Sequence, residues 1–166
     1  MRIRREEPRD VPAIRTINLT AFGSASEADI VDALRSDARH VISLVAEEDD
    51  ALIGHILFSP VDVAGADLRA MALAPMAVIP DRQRTGVGSA LVRAGLDECR
   101  RSGAAAVFVL GHPSYYPRFG FATASTLGFR CEFDAPDDAF MVSELVPGAL
   151  SRQSGLVCFD KAFRNA

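Results

Sequence analysis

The chain has 166 residues, 49% of them hydrophobic, which is enough for one compact domain with a substantial core. Its formal net charge is −4, whereas proteins that bind nucleic acid usually present a strongly basic surface, so we expect no nucleic-acid partner. The longest purely apolar run, from Ala104 to Leu110, is far shorter than the roughly 20 residues that cross a bilayer, so we expect no membrane partner either.

The N-terminus and the cysteines bear on the cellular compartment. The first residues, MRIRREEP, lack the apolar stretch of a secretory signal peptide. Cys99, Cys131 and Cys158 are far apart and odd in number, which favours neither a disulfide framework nor a Cys-x-x-Cys metal site. We therefore predict a cytoplasmic protein that holds no metal ion.

The first part of the chain predicts a short strand at residues 3–6 and two helices. The first helix begins at Asp10 and ends at Gly23, because a glycine favours the left-handed conformation that terminates a helix. The second helix begins at Ser26, whose hydroxyl is expected to cap it. The apolar face of the first helix is predicted at Val11, Ile14, Ile17, Leu19 and Phe22.

Three strands are predicted next. Residues 41–48 and 51–63 form a hairpin around the tight turn Asp49–Asp50. Residues 68–80 form an apolar strand that Pro75 interrupts. Proline cannot donate a ladder hydrogen bond, so Pro75 marks either a bulge or a sheet edge.

The second half continues with a helix after Gly88, which ends near Gly103 behind two arginines in its last turn. Residues 105–111 are wholly apolar, as is typical of a strand buried on both faces. Residues 112–121 predict a loop with a brief helical turn, and 140–145 and 156–163 predict two last strands. The alternation of helices and strands predicts one mixed α/β domain over residues 1–166.

A turn with two closely spaced glycines precedes that helix, in the stretch PDRQRTGVGSALV at residues 80–92. A strand, such a turn and a helix start form a favourable anion site, because the first helix amides lack internal partners and the helix dipole is positive there. A nucleotide-triphosphate loop is excluded, because Ser89 stands where it needs lysine, and a dinucleotide fingerprint is excluded, because Leu91 stands where it needs glycine. The alternative is a turn that binds no ligand.

The stretch MAVIPDRQRTGVGSALV resembles the signature of the GNAT superfamily of N-acetyltransferases, in which a strand, the motif Q/R-x-x-G-x-G/A and a helix follow one another. Gln83, Gly86 and Gly88 occupy the three defined positions. YYPRFGF at Tyr115–Phe121 resembles the aromatic-Tyr-x-x-x-Gly-Phe turn of the same family. The pairing of APMAV at residues 74–78 with YYPRFGF further resembles a bacterial subfamily of small predicted N-acetyltransferases. The resemblance implies a single GNAT-like α/β domain, with a mixed central sheet of about six to seven strands flanked by helices.

The resemblance also implies acetyl-CoA as co-substrate, with its pyrophosphate on backbone amides of the glycine motif. It assigns the polarisation of the thioester carbonyl to a backbone amide among Met76, Ala77 and Val78. The cofactor-binding residues of the motif are then Gln83, Arg84, Thr85, Gly86, Val87, Gly88 and Ser89.

For the chemical step the resemblance gives Tyr116 the role of general acid, because a tyrosine with a pKa near ~10 is protonated at neutral pH and can donate to the departing thiolate. The alternative is a packed aromatic residue without a chemical role. We expect Tyr115 to serve packing, and Phe119 and Phe121 to lie in the core.

No general base is evident in the sequence. His112, just after a buried strand, is a candidate, although a histidine in a loop is more often solvated. His55 is expected to be packed, and Cys99 follows the apolar positions of its helix and is expected in the core rather than as a nucleophile. This favours direct acetyl transfer. An acidic loop, which attracts a cationic amine or is only a solvated surface, is formed by Glu132, Asp134, Asp137 and Asp138.

The predicted function is transfer of the acetyl group from acetyl-CoA directly to a primary amine of a small molecule or a protein. The alternative is a non-catalytic module that binds or senses acetyl-CoA. Transfer to a hydroxyl, or of a longer acyl group, is a further variant that a sequence does not distinguish. A homodimer is possible through the last strands, as is common in this superfamily.

Overall fold

The protein is described by a computed structural model that covers residues 1–37 and 40–164. The described residues form three α-helices: α1 (Val11–Phe22), α2 (Ser26–Ser36) and α3 (Val87–Arg101). None of the helices in these ranges is both long and apolar enough to span a bilayer. The strands are β1 (Arg2–Arg5), β2 (Ile42–Glu48), β3 (Ala51–Val63), β4 (Ala70–Val78), β5 (Ala106–Leu110), β6 (Phe121–Thr123), β7 (Phe129–Cys131), β8 (Phe140–Glu144) and β9 (Gly155–Cys158).

The strands form one mixed sheet whose main path runs β1-β2-β3-β4-β5-β8-β6. The predicted mixed sheet is confirmed; its main path has seven strands, and β7 and β9, paired off this path, bring the total to nine. Along this path β4 and β5 are parallel and the other neighbours are antiparallel. β9 pairs with the end of β3 and, in parallel, with β7. The final strand is shorter than predicted, because residues 161–163 form a 3₁₀ turn.

Helices cover both faces of the sheet. Side chains alternate between faces along a strand, so Ile56 and Phe58 of β3 lie in the core cluster beneath α3, whereas Leu57 lies in the cluster beneath α1 and α2. The helix α3 approaches the sheet closely at Gly95, where a Cβ atom would stand 2.2 Å from the Phe58 ring. This close packing fixes the middle of α3 against β3.

Two predictions about the helices are wrong. Ser26 is the first residue of α2 rather than its cap, Ala25 is the capping residue without a side-chain hydrogen bond, and the Ser24 hydroxyl instead donates to Glu27. On α1, Leu19 and Phe22 were expected on the apolar face but are 37% and 41% exposed. The buried face of α1 instead includes a polar residue, Asn18.

The predicted hairpin is confirmed. Asp49 and Asp50 have φ angles of +52° and +62°, and Glu48 and Ala51 pair directly across the turn. Two consecutive residues with positive φ characterise the type I′ turn, whose twist matches that of the strands it joins. The start of β3 pairs with the end of β4, so the turn also brings the end of β2 near the loop that follows β4.

Candidate active site

The strands β4 and β5 separate halfway along β4. They pair only over Ala70–Leu73. On its other side β4 pairs with β3 through Leu73 and again from Met76, so Ala74 and Pro75 lie in a bulge. The predicted bulge at Pro75 is confirmed, and the pairing with β5 has already ended at Leu73, so the bulge lies where β4 begins to lack a neighbour on that side. Beyond the bulge, within the described residues, Met76–Val78 has β3 on one side and no strand on the other.

The backbone groups of this segment face two directions. The Ile79 amide donates to the Ile53 carbonyl of β3 at 3.0 Å. Because backbone groups alternate along a strand, those of Ala77 also face β3, whereas those of Met76 and Val78 face the cleft. The Val78 carbonyl accepts a hydrogen bond from Gln83 Nε2 at 3.0 Å. The amides of Met76 and Val78 are therefore better placed than that of Ala77 for a ligand in the cleft.

The glycine motif forms a loop that leads directly into α3. Arg84 and Gly86 have φ angles of +63° and +95°, and only glycine adopts the second without strain. Intrahelical bonding starts with the Ala90 amide, which donates to the Gly86 carbonyl at 3.1 Å. No side chain among the described residues caps this helix. The first amides of α3 therefore lack helical partners, which suits an anion.

Side chains hold this loop in place. The Thr85 hydroxyl donates to the Arg82 carbonyl, and the Arg82 side chain forms an ion pair with Glu48 at the end of β2. Gln83 binds the Val78 carbonyl. The loop is thus attached to β2, to β4 and to itself, while the Arg84 residue is exposed.

Three chain segments converge at Gly88, the second residue of α3. A Cβ atom at this position would lie 3.4 Å from Met76 Cε and 3.5 Å from the Tyr115 hydroxyl. These are ordinary van der Waals distances, so an alanine fits here, but larger side chains would enter the space between β4, α3 and the loop after β5. The missing side chain keeps this space open.

The two adjacent tyrosines differ in environment. Tyr116 is buried and contacts the rings of Tyr115 and Phe121 edge-on. Burial, with a smaller contribution from Tyr115, raises the pKa of Tyr116 from its ordinary value of 10.0 to about 12. Tyr116 therefore stays protonated at neutral pH, as a proton donor must.

Tyr115 is half-buried, and its ring packs edge-on against Tyr116 and Phe119 as predicted. Its hydroxyl also lies 2.9 Å from Ser89 Oγ, in the first turn of α3, which the sequence prediction missed. The Arg118 guanidinium lies over the Tyr115 ring, 4.6 Å from its centroid. Tyr115 is therefore a polar contact at the helix N-terminus as well as a packing residue.

His112 is exposed, just after β5, and its carbonyl accepts the Tyr115 amide at 3.1 Å. The Gly111 amide donates to the Ala139 carbonyl at 2.9 Å, which places the turn Asp137–Ala139 beside this loop. Asp137 and Asp138 are exposed there, and Asp137 accepts a hydrogen bond from the Ser125 hydroxyl.

Glu132 belongs to a different environment from the rest of the predicted acidic loop. Its carboxylate forms an ion pair with Arg164 at 2.7 Å and accepts a hydrogen bond from the Phe159 amide. These contacts hold the pKa of Glu132 below its usual range. Glu132 therefore has a structural role rather than the predicted role of attracting an amine. Only Asp134, Asp137 and Asp138 remain as candidates for attracting a cationic amine.

His55 is fully buried, as predicted, but it belongs to a polar network that the sequence did not reveal. Its Nε2 lies 2.9 Å from Ser43 Oγ, and the Ser43 hydroxyl donates to Glu6 at 2.6 Å, so Nε2 carries the ring proton. Its Nδ1 accepts from Asn18 Nδ2 at 3.3 Å. The network continues through an ion pair between Glu6 and Arg35 of α2. It joins the residue after β1, together with β2 and β3, to α1 and α2.

The cysteine prediction is also confirmed. Cys99 is fully buried in the core beneath α3, and burial raises the pKa of its thiol to about 12. A thiol with such a pKa is not a nucleophile at neutral pH. Among residues 1–37 and 40–164 no cluster of three or more histidine, cysteine, aspartate or glutamate side chains has the arrangement of a metal site.

Known proteins resemble this chain along nearly its whole length. It is 40% identical over 164 residues to the uncharacterized N-acetyltransferase YhbS of Escherichia coli (strain K12), covering 98% of both chains. The crystal structure of that Escherichia coli protein in complex with CoA matches with a TM-score of 0.94, covering 98% of this chain and 91% of the other.

A second solved structure supports the same relationship. A GNAT family acetyltransferase from Brucella melitensis in complex with acetyl-CoA is 36% identical and matches with a TM-score of 0.82, covering 98% of this chain and 97% of the other. In addition, a family model described as an acetyltransferase (GNAT) domain matches residues 2–124. The chain therefore belongs to the GNAT family of acetyltransferases.

Proposed function

We propose that this protein transfers the acetyl group of acetyl-CoA directly to a primary amine of a small molecule or a protein. The observation that carries the proposal is the separation of β4 from β5 at Pro75 beside an uncapped α3 N-terminus. This arrangement offers backbone donors to a thioester and to a phosphate in one cleft. The CoA and acetyl-CoA held by the Escherichia coli and Brucella melitensis relatives support it.

Binding of the pyrophosphate is assigned to the loop and first turn of α3, from Gln83 to Ser89. Amides at a helix N-terminus bind anions because they are unpaired and the helix dipole is positive there. Arg84, exposed on the loop, adds positive charge. Arg82 is less suited to this task, because its guanidinium already pairs with Glu48.

The chemical step is nucleophilic attack by the amine nitrogen on the thioester carbonyl carbon. The carbonyl oxygen gains negative charge, which an amide of Met76 or Val78 stabilises by donating a hydrogen bond. The carbon–sulfur bond then breaks, and the Tyr116 hydroxyl gives its proton to the leaving thiolate. The attacking nitrogen loses a proton to water or to His112, which is exposed to solvent beside the cleft.

Residues 1–166 are proposed to act as one acetyltransferase domain. The sheet supports this, since its strands run from Arg2 to Cys158 and pair into a single network. Association of two copies remains a prediction that no contact in the structure tests.

The experiment that tests the proposal is a thiol-release assay with acetyl-CoA against a panel of amines, polyamines and peptides, with hydroxyl acceptors as controls. Acceptor-dependent CoA release, with the acetylated amine identified by mass spectrometry, supports the proposal. Tight acetyl-CoA binding without turnover on any acceptor would favour the alternative of a sensing module.

A further inference from the structure

We propose that Gly111 is a positioning residue for the proton donor: its missing side chain sets the place of the Tyr116 ring and therefore of the Tyr116 hydroxyl. The inference rests on the proposed function, in which Tyr116 gives its proton to the leaving thiolate. It gives a consequence for catalysis to the glycine that directly follows β5, a residue with no side chain that could react.

The first support is the contact between Gly111 and the ring. A Cβ atom on Gly111 would stand 2.3 Å from Tyr116 Cε2 and 2.9 Å from Cδ2. Both distances are well inside the roughly 3.5–4.0 Å at which two carbon atoms attract each other most. The Cβ would also stand 3.3 Å from Cζ, the atom that carries the hydroxyl. One edge of the ring therefore lies directly against Gly111, next to the hydroxyl.

The ring is enclosed on its other sides by aromatic residues. Tyr115 and Phe121 contact it edge-on, with ring centroids 5.1 Å and 5.6 Å away, and the Phe119 centroid lies 6.4 Å away. Only 7% of Tyr116 is exposed. A ring pushed away from residue 111 has to displace these neighbours, so its hydroxyl moves with it.

The backbone of Gly111 is fixed as well. Its amide donates to the Ala139 carbonyl at 2.9 Å, which continues the pairing of β5 with β8 by one residue. The carbonyl of the next residue, His112, accepts the amides of Tyr115 and Tyr116 at 3.1 Å and 3.4 Å. The segment from Gly111 to Tyr116 is thus a closed loop whose last ring folds back onto its first residue. Gly111 cannot withdraw from an added Cβ.

Backbone conformation does not account for this glycine. The φ angle of Gly111 lies outside the left-handed region, so φ imposes no penalty on alanine. Apart from the chain neighbours, the three heavy atoms nearest to the Cβ position all belong to the Tyr116 ring. Gly111→Ala therefore changes the position of the ring without adding strain to the backbone.

A double-mutant cycle on kcat separates a positioning role from a purely structural one. Turnover of acetyl-CoA with a primary amine, Kd for CoA and Tm are measured for the wild type, Gly111→Ala, Tyr116→Phe and the double variant. We expect Gly111→Ala to lower kcat on the order of 10-fold to 100-fold, because a misplacement of about 1 Å costs up to about 10²-fold. In the Tyr116→Phe background the same change should alter kcat less than about twofold, since no hydroxyl remains to be displaced.

Tm and Kd supply the controls within the same cycle. Phenylalanine keeps the ring atoms that the new Cβ meets, so Gly111→Ala should lower Tm by a similar amount in both backgrounds. The Kd for CoA should be unaltered in all four proteins, because the phosphate contacts are proposed for the loop before α3. A structural role alone would lower Tm without this split between kcat and Kd.

A second variant covers the case in which Gly111→Ala does not fold. Phe121→Leu replaces an aromatic neighbour on another side of the Tyr116 ring and gives the displaced ring room. Combined with Gly111→Ala it should restore folding, while kcat stays at least about tenfold below that of Phe121→Leu alone. Equal kcat in these two proteins would contradict the positioning role.

Three outcomes of the cycle count against the inference. Wild-type kcat in a folded Gly111→Ala protein would overturn it, and so would an equal loss of kcat in both backgrounds. Unchanged kcat in Tyr116→Phe would also overturn it, because Gly111 would then have no proton donor to position, although acetyl transfer itself would stand. A wild type that releases no CoA with any acceptor would instead refute the proposed function.

Discussion

Glu48, the last residue of β2, forms an ion pair with Arg82, which ends the 3₁₀ turn in front of the glycine motif. Both side chains are partly exposed, so the pair contributes little to the overall free energy of unfolding. Its effect is local, because it ties the glycine loop, for which phosphate binding is proposed, to a hairpin outside the family motif. It also places a negative charge near a site that is proposed to hold an anion.

Substitution of Glu48 by glutamine distinguishes the anchoring of the loop from the effect of the negative charge, because the two change CoA affinity in opposite directions. Removal of a negative charge alone would strengthen CoA binding, whereas release of the loop would weaken it. We expect loop release to dominate, with a several-fold higher Kd for CoA and little change in kcat. Asp81→Asn is the matched control, since it removes a charge from the same loop and should leave Kd equal or lower. Tighter CoA binding by the Glu48→Gln variant would contradict the anchoring role.

The Tyr116→Phe variant tests the proton donor. The change keeps the ring and its contacts with Tyr115 and Phe121 but removes the hydroxyl. General acid catalysis typically contributes on the order of 10²-fold to 10⁴-fold, so kcat should fall at least about 100-fold. The Kd for CoA should be unaltered, because the phosphate contacts are proposed for other residues. A variant with wild-type kcat would show that Tyr116 is not the proton donor. Its Tm reports whether folding is intact.

The open space at Gly88 predicts a steric effect on ligand binding. Acetyl-CoA should raise the Tm of the wild type, since a ligand that binds only the native state stabilises it, by about 2.7 kcal/mol at one hundred times Kd. Gly88→Val should abolish this shift, because its branches extend toward Met76 and Tyr115. Gly88→Ala is the control, since its Cβ lies at ordinary contact distances. An undiminished shift in the valine variant would place the ligand elsewhere.

The sequence predicted the elements whose pattern spans many residues. The strand, glycine loop and α3 were predicted because their apolar periodicity and turn residues are local signals. The strands β6 and β7 have three residues each, too short for any period to show, and they exist through pairing with β8 and β9. Secondary structure that depends on distant partners leaves no local pattern.

The same reason explains the parts of the site that were missed. Tyr115 and Ser89 are 26 residues apart, and Asn18 and His55 are 37 residues apart. Each of these residues taken alone fits a simpler interpretation as packing or as an ordinary helix residue. Their polar roles follow only from how the loop after β5 meets α3 and how α1 crosses β3.

The exposed aspartates beside the cleft predict an effect on the acceptor. The turn Asp137–Ala139 adjoins the loop after β5 through the Gly111 amide, so its charges lie near the proposed acceptor side. Changing Asp137 and Asp138 together to asparagine should raise KM for cationic amines and leave CoA affinity unchanged. Steady-state kinetics with a charged and an uncharged acceptor measure this. Equal KM values for the wild type and the double variant would show that the turn is only a solvated surface.

The buried His55 predicts loss of stability in mild acid. Desolvation lowers its pKa from 6.5 to about 4 in the folded protein; the negative charge of Glu6 opposes this change, and the positive charge of Arg35 adds to it. Between these two values the unfolded chain binds a proton that the native protein does not, so the free energy of unfolding falls as pH decreases from 6.5 towards 4. The full loss is on the order of 3 kcal/mol, from the difference in pKa. The carboxylates of Glu6 and Asp10, whose pKa values are lowered, add their losses only below their ordinary values of 4.5 and 3.8.

Urea unfolding at pH 7.5, 6.5, 5.5 and 4.5, chosen to cross about this range, measures the slope. His55→Gln keeps a donor for Ser43 and an acceptor for Asn18 but does not titrate, so its stability should be nearly constant over the same interval. An equally steep decline in that variant would show that other groups cause it.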